Sequence, residues 1–409
     1  MKSDLENRLH RIAESIFSAM RRGGLDIPDY GLYSGRTGIV VFCLCYLKTY
    51  PDPEKEAVLE KYLDAFMDSI TATDIAPLSY CSGVIGIFDA LRYFNEEGLY
   101  EVDFSDVEDN YRPLLQEYAV TAILRGNYDF LHGGLGIVKY FRDDAAFADR
   151  ILDVLEQTAH KDGDKYKWLS QIGMEKKIGY NISLSHGMAS IVAVLCLMDN
   201  PEIDREKRTR LITNACNYIL SQQIDPEKYG SCFPSTSLEN DPEESIHRSR
   251  LGWCYGDLGI ATSLWQAGHA LRNRQWTDKA LEVLLHATQR RNLSENAILD
   301  AGLCHGSASV AMMYYYMYGQ TRNEKFLEAC RYWMDVTLKM ATHENETAGY
   351  EVWRTIEVPE YDKYNFLTGI AGIGMMMLTY LADNPGEVSW MNFFLLSTTI
   401  NNKNRLKQK

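Results

Sequence analysis

The sequence predicts an all-α protein, an α/α toroid made of seven hairpins, each with an outer and an inner helix. Two observations lead to this fold class. A glycine-containing turn motif returns seven times along the 409 residues, a period typical of repeat architectures. Each motif is preceded by a charged amphipathic stretch and followed by a strongly apolar one. A helix that is apolar all round is buried, whereas a helix with one charged face lies at the periphery.

The seven motifs align on their first glycine, at intervals of about 48 to about 69 residues. Five motifs have a second glycine three residues later, whereas Ser190 and Ser309 take that place in the other two. An open solenoid would need atypical capping repeats at its ends, but here the first and last motifs resemble the middle ones. We therefore expect a closed ring and a single domain over residues 1–409. Its seven turns, which share one end of the ring, lie near Gly35, Gly83, Gly133, Gly187, Gly256, Gly306 and Gly369.

The individual elements follow from local patterns. Leu5, Leu9, Ile12, Ile16 and Met20 recur at three- and four-residue steps, so the first segment is an amphipathic outer helix and not a signal peptide. The text "GIVVFCLCYL" after the first turn is apolar throughout and predicts a buried inner helix. The later repeats copy this pair, as in "TDKALEVLLHATQRR" followed by "SVAMMYYYMYG". The polar segments 223–250 and 343–364 predict long loops over the turn end.

Composition excludes several classes of protein. Hydrophobic residues make up 46% and charged residues 24%, as in soluble globular proteins, and no apolar run is long enough to cross a bilayer. The formal net charge of −14 argues against a nucleic-acid binder, and the basic cluster at 403–409 is interpreted as a solvated tail. The nine cysteines are odd in number and nothing indicates secretion, so we expect no disulfide framework and a cytoplasmic protein.

Histidines and cysteines concentrate just before the first glycines, where a ring would make them neighbours. Cys254, Cys304 and His305 are the candidate metal ligands. Thiolates and imidazole select zinc, and three protein ligands with one open position are typical of a catalytic site. The alternative is buried cysteines and a capping histidine. Cys81 has a matching position but no histidine nearby, and we interpret it as a small core thiol.

Other polar residues on the turns could act beside the metal. His186 has no cysteine next to it and is a candidate acid or base, and Asp129 could pair with it. The alternatives are a loop hydrogen bond for His186 and a helix N-cap for Asp129. Tyr255 could donate a hydrogen bond into the site or pack in its wall. Arg250 could bind a carboxylate, an enolate or a metal ligand, or lie at the surface. His132 is given no role.

The glycine pattern, together with "SHG", "GWCYG" and "LCHG", resembles the lanthionine synthetase C-like family, the LanC cyclases, from Gly35 to Gly372. The resemblance implies an α/α toroid that holds Zn²⁺. It assigns the zinc ligands to Cys254, Cys304 and His305, and the catalytic roles to His186, Asp129, Arg250 and Tyr255. The chain departs from the family at the two serines. Its early repeat intervals also leave no room for the small β-domain that some members insert.

The activity implied by the resemblance is the addition of peptide cysteine thiols to dehydroalanine or dehydrobutyrine in the same peptide. The products are the thioether rings lanthionine and methyllanthionine. The implied partners are a dehydrated precursor peptide with leader and core, a dehydratase and an exporter, with the protein cytoplasmic or peripheral to the membrane in that complex. Two alternatives remain: a LanC-like enzyme that adds glutathione to dehydroamino acids, and a non-catalytic scaffold stabilised by zinc.

Overall fold

The computed structural model describes residues 1–25, 27–72, 77–172, 177–240, 248–344, 346–353, 360–386 and 388–397. The basic tail at 403–409 and parts of both predicted long loops lie outside these segments. In chain order the helices are α1 (Lys2–Arg21), α2 (Arg36–Thr49), α3 (Pro53–Ala72), α4 (Val84–Glu96), α5 (Ser105–Leu124), α6 (Leu135–Tyr140), α7 (Ala145–Thr158), α8 (Met188–Leu197), α9 (Arg205–Leu220), α10 (Pro226–Tyr229), α11 (Asp257–Ala270), α12 (Arg274–Ala287), α13 (Ser307–Thr321), α14 (Glu324–Lys339) and α15 (Ile370–Ala382).

The described helices alternate between outer and inner positions as the repeat predicts, and the most closely packed sequential pairs are an inner helix with the outer helix after it, α11 with α12 and α13 with α14. Six inner helices, α2, α4, α8, α11, α13 and α15, start directly after the first glycine of their motif, and α6 starts after Gly134. The inner helix α8 is buried from Met188 to Cys196 on every face. The outer helix α14 buries one stripe, which includes Phe326, Trp333 and Met334. The contrast between apolar and amphipathic stretches therefore sorts inner from outer helices correctly.

The chain divides into two compact units, and the first comprises Met1–Asn110 and Leu299–Val388. Its inner helices pack in the order α13, α15, α2, α4, and α1 packs on α15. Backbone hydrogen bonds join the turns in the same order: Cys304 N–H to the Leu367 carbonyl (2.9 Å), Leu367 N–H to the Tyr33 carbonyl (3.0 Å) and Tyr33 N–H to the Cys81 carbonyl (2.9 Å). The last repeat thus lies beside the first, as a ring requires.

The second unit comprises Tyr111–Ile298 and the segment that begins at Ser389. Its inner helices pack in the order α6, α8, α11. The indole N–H of Trp253 donates to the Phe394 carbonyl (2.8 Å), and the Gln266 side-chain amide donates to the Leu395 carbonyl (2.7 Å). The 3₁₀-helix Ser389–Phe394 is held to the second unit by these bonds.

Two short β-hairpins between α7 and α8 were not predicted. Strands β1 (His160–Asp162) and β2 (Lys165–Lys167) pair antiparallel, as do β3 (Leu169–Ile172) and β4 (Lys177–Tyr180). Strands of three or four residues are too short for a reliable alternation signal. The turn residues Gly163 and Asp164 are nevertheless a recognised two-residue hairpin sequence, and Gly163 has φ +58°. That signal could have located the first hairpin.

None of the helices within the described segments has the length and apolar character needed to span a membrane.

Candidate active site

Asp129 and His186 form a hydrogen-bonded pair on two turns of the second unit. Oδ1 of Asp129 accepts the backbone N–H groups of Leu131 (2.7 Å) and His132 (2.9 Å), which caps its own turn. Oδ2 of Asp129 lies 2.6 Å from Nδ1 of His186, and both side chains are about one-quarter exposed. The two carboxylate oxygens therefore have different roles: Oδ1 stabilises the turn of Asp129, and Oδ2 orients the imidazole of His186. Nδ1 is engaged, so Nε2 is the ring nitrogen that can face a substrate.

The surroundings of the pair favour its charged form. Burial acts to lower the pKa of His186, but the Asp129 carboxylate and its hydrogen bond outweigh burial and raise it above the ordinary 6.5. Burial acts to raise the pKa of Asp129, but His186 outweighs it and the net pKa lies below the ordinary 3.8. Both shifts favour an imidazolium donating to a carboxylate, a charge-assisted bond that is stronger than a neutral one.

Two further rings contact His186. The ring of His132 is nearly parallel to it, with centroids 6.1 Å apart and 14° between the planes, and its side chain is exposed. The Tyr255 ring centroid lies 5.6 Å away, and the Tyr255 hydroxyl accepts the Asn181 side-chain N–H at 3.4 Å. The structure thus places Tyr255 beside the pair, and it adds His132, to which no role was assigned from its motif position.

Cys254 lies in the same unit, on the turn before α11. Its side chain is buried, with 2% exposed. Its carbonyl accepts both the backbone N–H (3.3 Å) and the hydroxyl (3.1 Å) of Ser185, the residue before His186. These two hydrogen bonds join the turn that carries His186 to the turn that carries Cys254.

The turn that carries Cys254 depends on glycine. Gly256 has φ +85°, a backbone conformation that residues other than glycine rarely adopt. A Cβ at this position would also lie 2.4 Å from the Arg250 carbonyl oxygen. Arg250 opens this turn and is half-buried. In the described part of the chain, its guanidinium makes no hydrogen bond or ion pair to Asp129, His186 or Tyr255. The structure therefore does not tie Arg250 to the pair.

Cys304 and His305 lie in the first unit, on the turn before α13, and both are half-buried. The Cys304 N–H donates to Leu367, and the Cys304 carbonyl accepts the Ser309 hydroxyl at 3.2 Å. Oδ1 of Asp300 accepts the Gly302 N–H at 3.0 Å and tightens the same turn. All nine cysteines lie in described segments and none forms a disulfide.

The two serines that replace the second glycine have a structural reason. Where glycine is kept, the inner helix touches the preceding turn: a Cβ on Gly259 would lie 2.6 Å from the Trp253 carbonyl oxygen. At the serine positions the hydroxyl bonds to the turn instead, Ser309 to the Cys304 carbonyl and Ser190 to the Gly187 carbonyl at 2.6 Å. The serine beside Cys304 thus helps to hold a candidate ligand.

Sequence reasoning missed Asn181, whose Oδ1 caps its turn through the Ser183 N–H (2.9 Å). Asn181 stands six residues before its first glycine, as Asp29 and Asp300 do in their motifs, so the motif alignment could have revealed it. A second contact that the sequence did not predict stabilises the turn of Asp129. The Tyr128 hydroxyl donates to the carbonyl of Trp168, at the start of the second β-hairpin (3.1 Å).

Comparisons with known proteins agree with these features. The sequence pattern of the family described as "Lanthionine synthetase C-like protein" matches residues 26–395. "Nisin biosynthesis protein NisC" of Lactococcus lactis subsp. lactis is 20% identical over 305 residues, 69% of this chain and 72% of that protein. The solved structure "Nisin cyclase" matches with a TM-score of 0.74 at 18% identity and covers 96% of this chain and 98% of that one. The likeness confirms the predicted fold class, an α/α toroid.

Proposed function

The chain belongs to the lanthionine synthetase C-like family, and on this basis we propose that it is a lanthipeptide cyclase. The reaction adds a cysteine thiol of a dehydrated peptide to dehydroalanine or dehydrobutyrine in the same peptide and forms a thioether ring. The observation that carries the proposal is the Asp129–His186 pair, which lies beside Tyr255 on a turn bonded to Cys254. It supplies a positioned proton donor next to a candidate metal ligand.

We propose Zn²⁺ as the cofactor, with Cys254, Cys304 and His305 as its ligands. The residue types fit zinc, and each lies within two residues of the glycine that precedes an inner helix, where the positive end of the helix dipole favours thiolates. Zinc bound there would bind the substrate thiol and lower its pKa, so that sulfur attacks as a thiolate. The two protein thiolates offset the charge of the ion, which preserves the nucleophilicity of the substrate sulfur.

The chain's own residues then complete the addition. As the carbon–sulfur bond forms at Cβ, the π electrons move onto Cα and the adjacent carbonyl oxygen, which gives an enolate. The thiol proton passes to solvent. His186, protonated and oriented by Asp129, donates the proton from Nε2 to Cα, and its neutral imidazole takes one proton back from solvent, so that the addition is proton-neutral. Tyr255 and Arg250 are the groups proposed to stabilise the enolate oxygen. Because the raised pKa of His186 favours its protonated form, we propose that it acts first as an acid.

The direct test is cyclisation of a dehydrated peptide, followed by mass spectrometry after alkylation of the remaining thiols. We expect wild-type protein to remove alkylatable thiols without a change in peptide mass, since addition is an isomerisation. His186→Asn should retain zinc and lose ring closure. The matched control is His160→Asn, an exposed histidine of β1, which should cyclise normally. Unimpaired cyclisation by the His186 variant would remove that residue from the mechanism.

The same assay separates the two alternatives. A glutathione-adding enzyme would give a glutathione adduct and leave the peptide thiols free for alkylation. A scaffold would leave the peptide unchanged under both conditions. Neither alternative has a specific observation in its favour, whereas intramolecular addition agrees with the similarity to "Nisin cyclase", whose name denotes ring closure.

We also propose the partners that follow from this activity. The substrate is a dehydrated precursor peptide with leader and core, and a dehydratase and an exporter act before and after the cyclase. The expected location is cytoplasmic, free or peripheral to the membrane in that complex. That residues 1–409 form one toroid domain remains a prediction.

A further inference from the structure

A second group of metal-ligating side chains lies within the second unit, away from the turns of the proposed zinc site. Cys232 follows α10, Asp257 is the first residue of α11 and His286 lies in the last turn of α12. One potential ligand atom from each falls within 4.8 Å of the other two. Cys232 Sγ is 3.8 Å from His286 Nδ1, close to the spacing of two ligands on one metal ion. Three separate segments of the chain converge there.

Hydrogen bonds from surrounding residues hold the Asp257 carboxylate in place. Asp257 is fully buried, and its Oδ1 accepts the Phe233 N–H at 2.9 Å. The Cys232 N–H is shared between both carboxylate oxygens at 3.1 Å, and Arg290 Nη1 donates to Oδ2 at 2.9 Å. Each carboxylate oxygen thus already accepts two hydrogen bonds, and a cation at Asp257 would take the position of the shared Cys232 N–H bond. Arg290 is fixed in turn by Asn296 Oδ1 at 2.9 Å. Supported ligands of this kind are typical of metal sites.

The chemistry of Cys232 argues against a nucleophilic role. Burial, followed by the nearby Asp257 carboxylate, raises the pKa of Cys232 to about 12, so the free side chain is a neutral thiol at pH 7. A thiol of this kind is a poor nucleophile. A metal ion changes this because it replaces the thiol proton directly.

One of the three side chains, His286, lines a cavity. This cavity of about 770 Å³ lies in the same unit and is lined by His286, Arg290, Tyr229 and Asn296 among others. His286 is the half-buried member of the three and faces this cavity, whereas Cys232 and Asp257 lie behind it in the protein interior. A buried ligand set needs a path for the ion to enter.

We propose that Cys232, Asp257 and His286 form a second metal site that takes a divalent cation of the Zn²⁺ class. The ligands are Cys232 Sγ, His286 Nδ1 and one Asp257 oxygen, with water in the fourth position. Binding breaks the S–H bond of Cys232, forms a metal–sulfur bond and releases one proton per ion to solvent. Arg290 weakens the site through its positive charge, so it binds more loosely than a site with two thiolates. The proposal does not depend on the cyclase activity.

Binding of an ion at this site would make a nearby turn of the proposed active site more rigid. Asp257 stands three residues after Cys254 and two after Tyr255. An ion at Asp257 would tie the start of α11 to the end of α12 and to the segment 231–233, and thereby stiffen the turn that presents Cys254 and Tyr255.

The test is the stoichiometry of cobalt binding to the metal-free protein, followed through the thiolate-to-cobalt absorption in the near ultraviolet. We expect two equivalents for wild type and one for Cys304→Ala, which keeps only the second site. In the Cys304→Ala background, adding His286→Gln or Cys232→Ser should abolish that equivalent or weaken it at least tenfold. The double variant with Cys216→Ala, another buried cysteine of this unit, should keep it.

His286→Gln is informative by itself because the residue is half-buried and its loss leaves the core intact. If wild type binds one equivalent and His286→Gln binds it with the same affinity and spectrum, the second site does not exist. If Cys304→Ala binds one equivalent that His286→Gln removes, the second site exists even when no peptide is cyclised.

Discussion

Replacing Asp129 by asparagine should lower the pKa of His186 and with it the rate of cyclisation. Asparagine can keep the cap, because its Oδ1 can still accept the Leu131 and His132 N–H groups, but it removes the negative charge 2.6 Å from Nδ1. A carboxylate next to an imidazolium typically shifts a pKa by about 1–3 units, or about 1.4–4 kcal/mol. Two unit charges at about 4 Å and an effective dielectric of about 20 give about 4 kcal/mol, an upper bound.

The titration of the His186 ring proton signals in NMR spectra measures this change directly. In the wild type the midpoint should lie above 6.5, and in Asp129→Asn it should lie below 6.5, because burial then outweighs the smaller, raising effect of Cys254 on the His186 pKa. The loss of the positioned acid should slow cyclisation at pH 7 by about 100-fold. A midpoint that stays above 6.5 in the variant would refute the assignment of Asp129 as the cause.

Stability gives an independent check on the same pair. The raised pKa of His186 contributes stability below about pH 6.5 that is lost as pH rises through its folded pKa. The lowered pKa of Asp129 contributes stability above about pH 4 that is lost as pH falls through its folded pKa. Asp129→Asn should therefore cost most free energy of unfolding near pH 5–6 and less at pH 9. Asp29→Asn is the control for loss of a cap alone, because Asp29 Oδ1 accepts the Gly31 N–H in the same way.

Three further substitutions test the turns. Cys304→Ala should abolish cyclisation and remove one equivalent of zinc by elemental analysis, and full zinc content would exclude Cys304 as a ligand. Ser309→Ala should lower the free energy of unfolding by about 1 kcal/mol in urea, because the Cys304 carbonyl loses its donor, and no loss would make the hydroxyl dispensable. Gly256→Ala should cost at least about 1–3 kcal/mol, since φ there is +85° and the Arg250 carbonyl occupies the space of a Cβ. Wild-type stability in that variant would show that the turn can relax.

The repeat explains why so much of the fold could be predicted. The motif fixes where each inner helix starts, and the apolar stretch after it decides that the helix is buried, so α8 and α13 follow from composition alone. The two β-hairpins between residues 160 and 180 could not be predicted from the repeat, because their strands are short and they occur in only one of the intervals between motifs. The polar segment before Arg250 contains α10, a single turn that begins at Pro226 after the cap Asp225.

Some features of the candidate site could be predicted from the sequence and others could not. The pairing of Asp129 with His186 could be anticipated because both lie at turns of adjacent repeats. That one oxygen of Asp129 caps a turn while the other binds the imidazole could not, since it depends on side-chain geometry. Cys232, Asp257 and His286 belong to no common motif position, so only folding brings them within ligand distance.

The hydrogen bonds that join distant parts of each unit also constrain when the protein can finish folding. Leu367 bonds to Tyr33 in the first unit, and Phe394 bonds to Trp253 in the second. Each unit therefore waits for residues near the end of the described chain before its apolar inner helices are fully covered. During synthesis those helices emerge long before their last neighbours, so the nascent chain exposes aggregation-prone surface for most of its translation. Loss of residues 389–397 would remove the hydrogen bonds that Trp253 and Gln266 donate to Phe394 and Leu395.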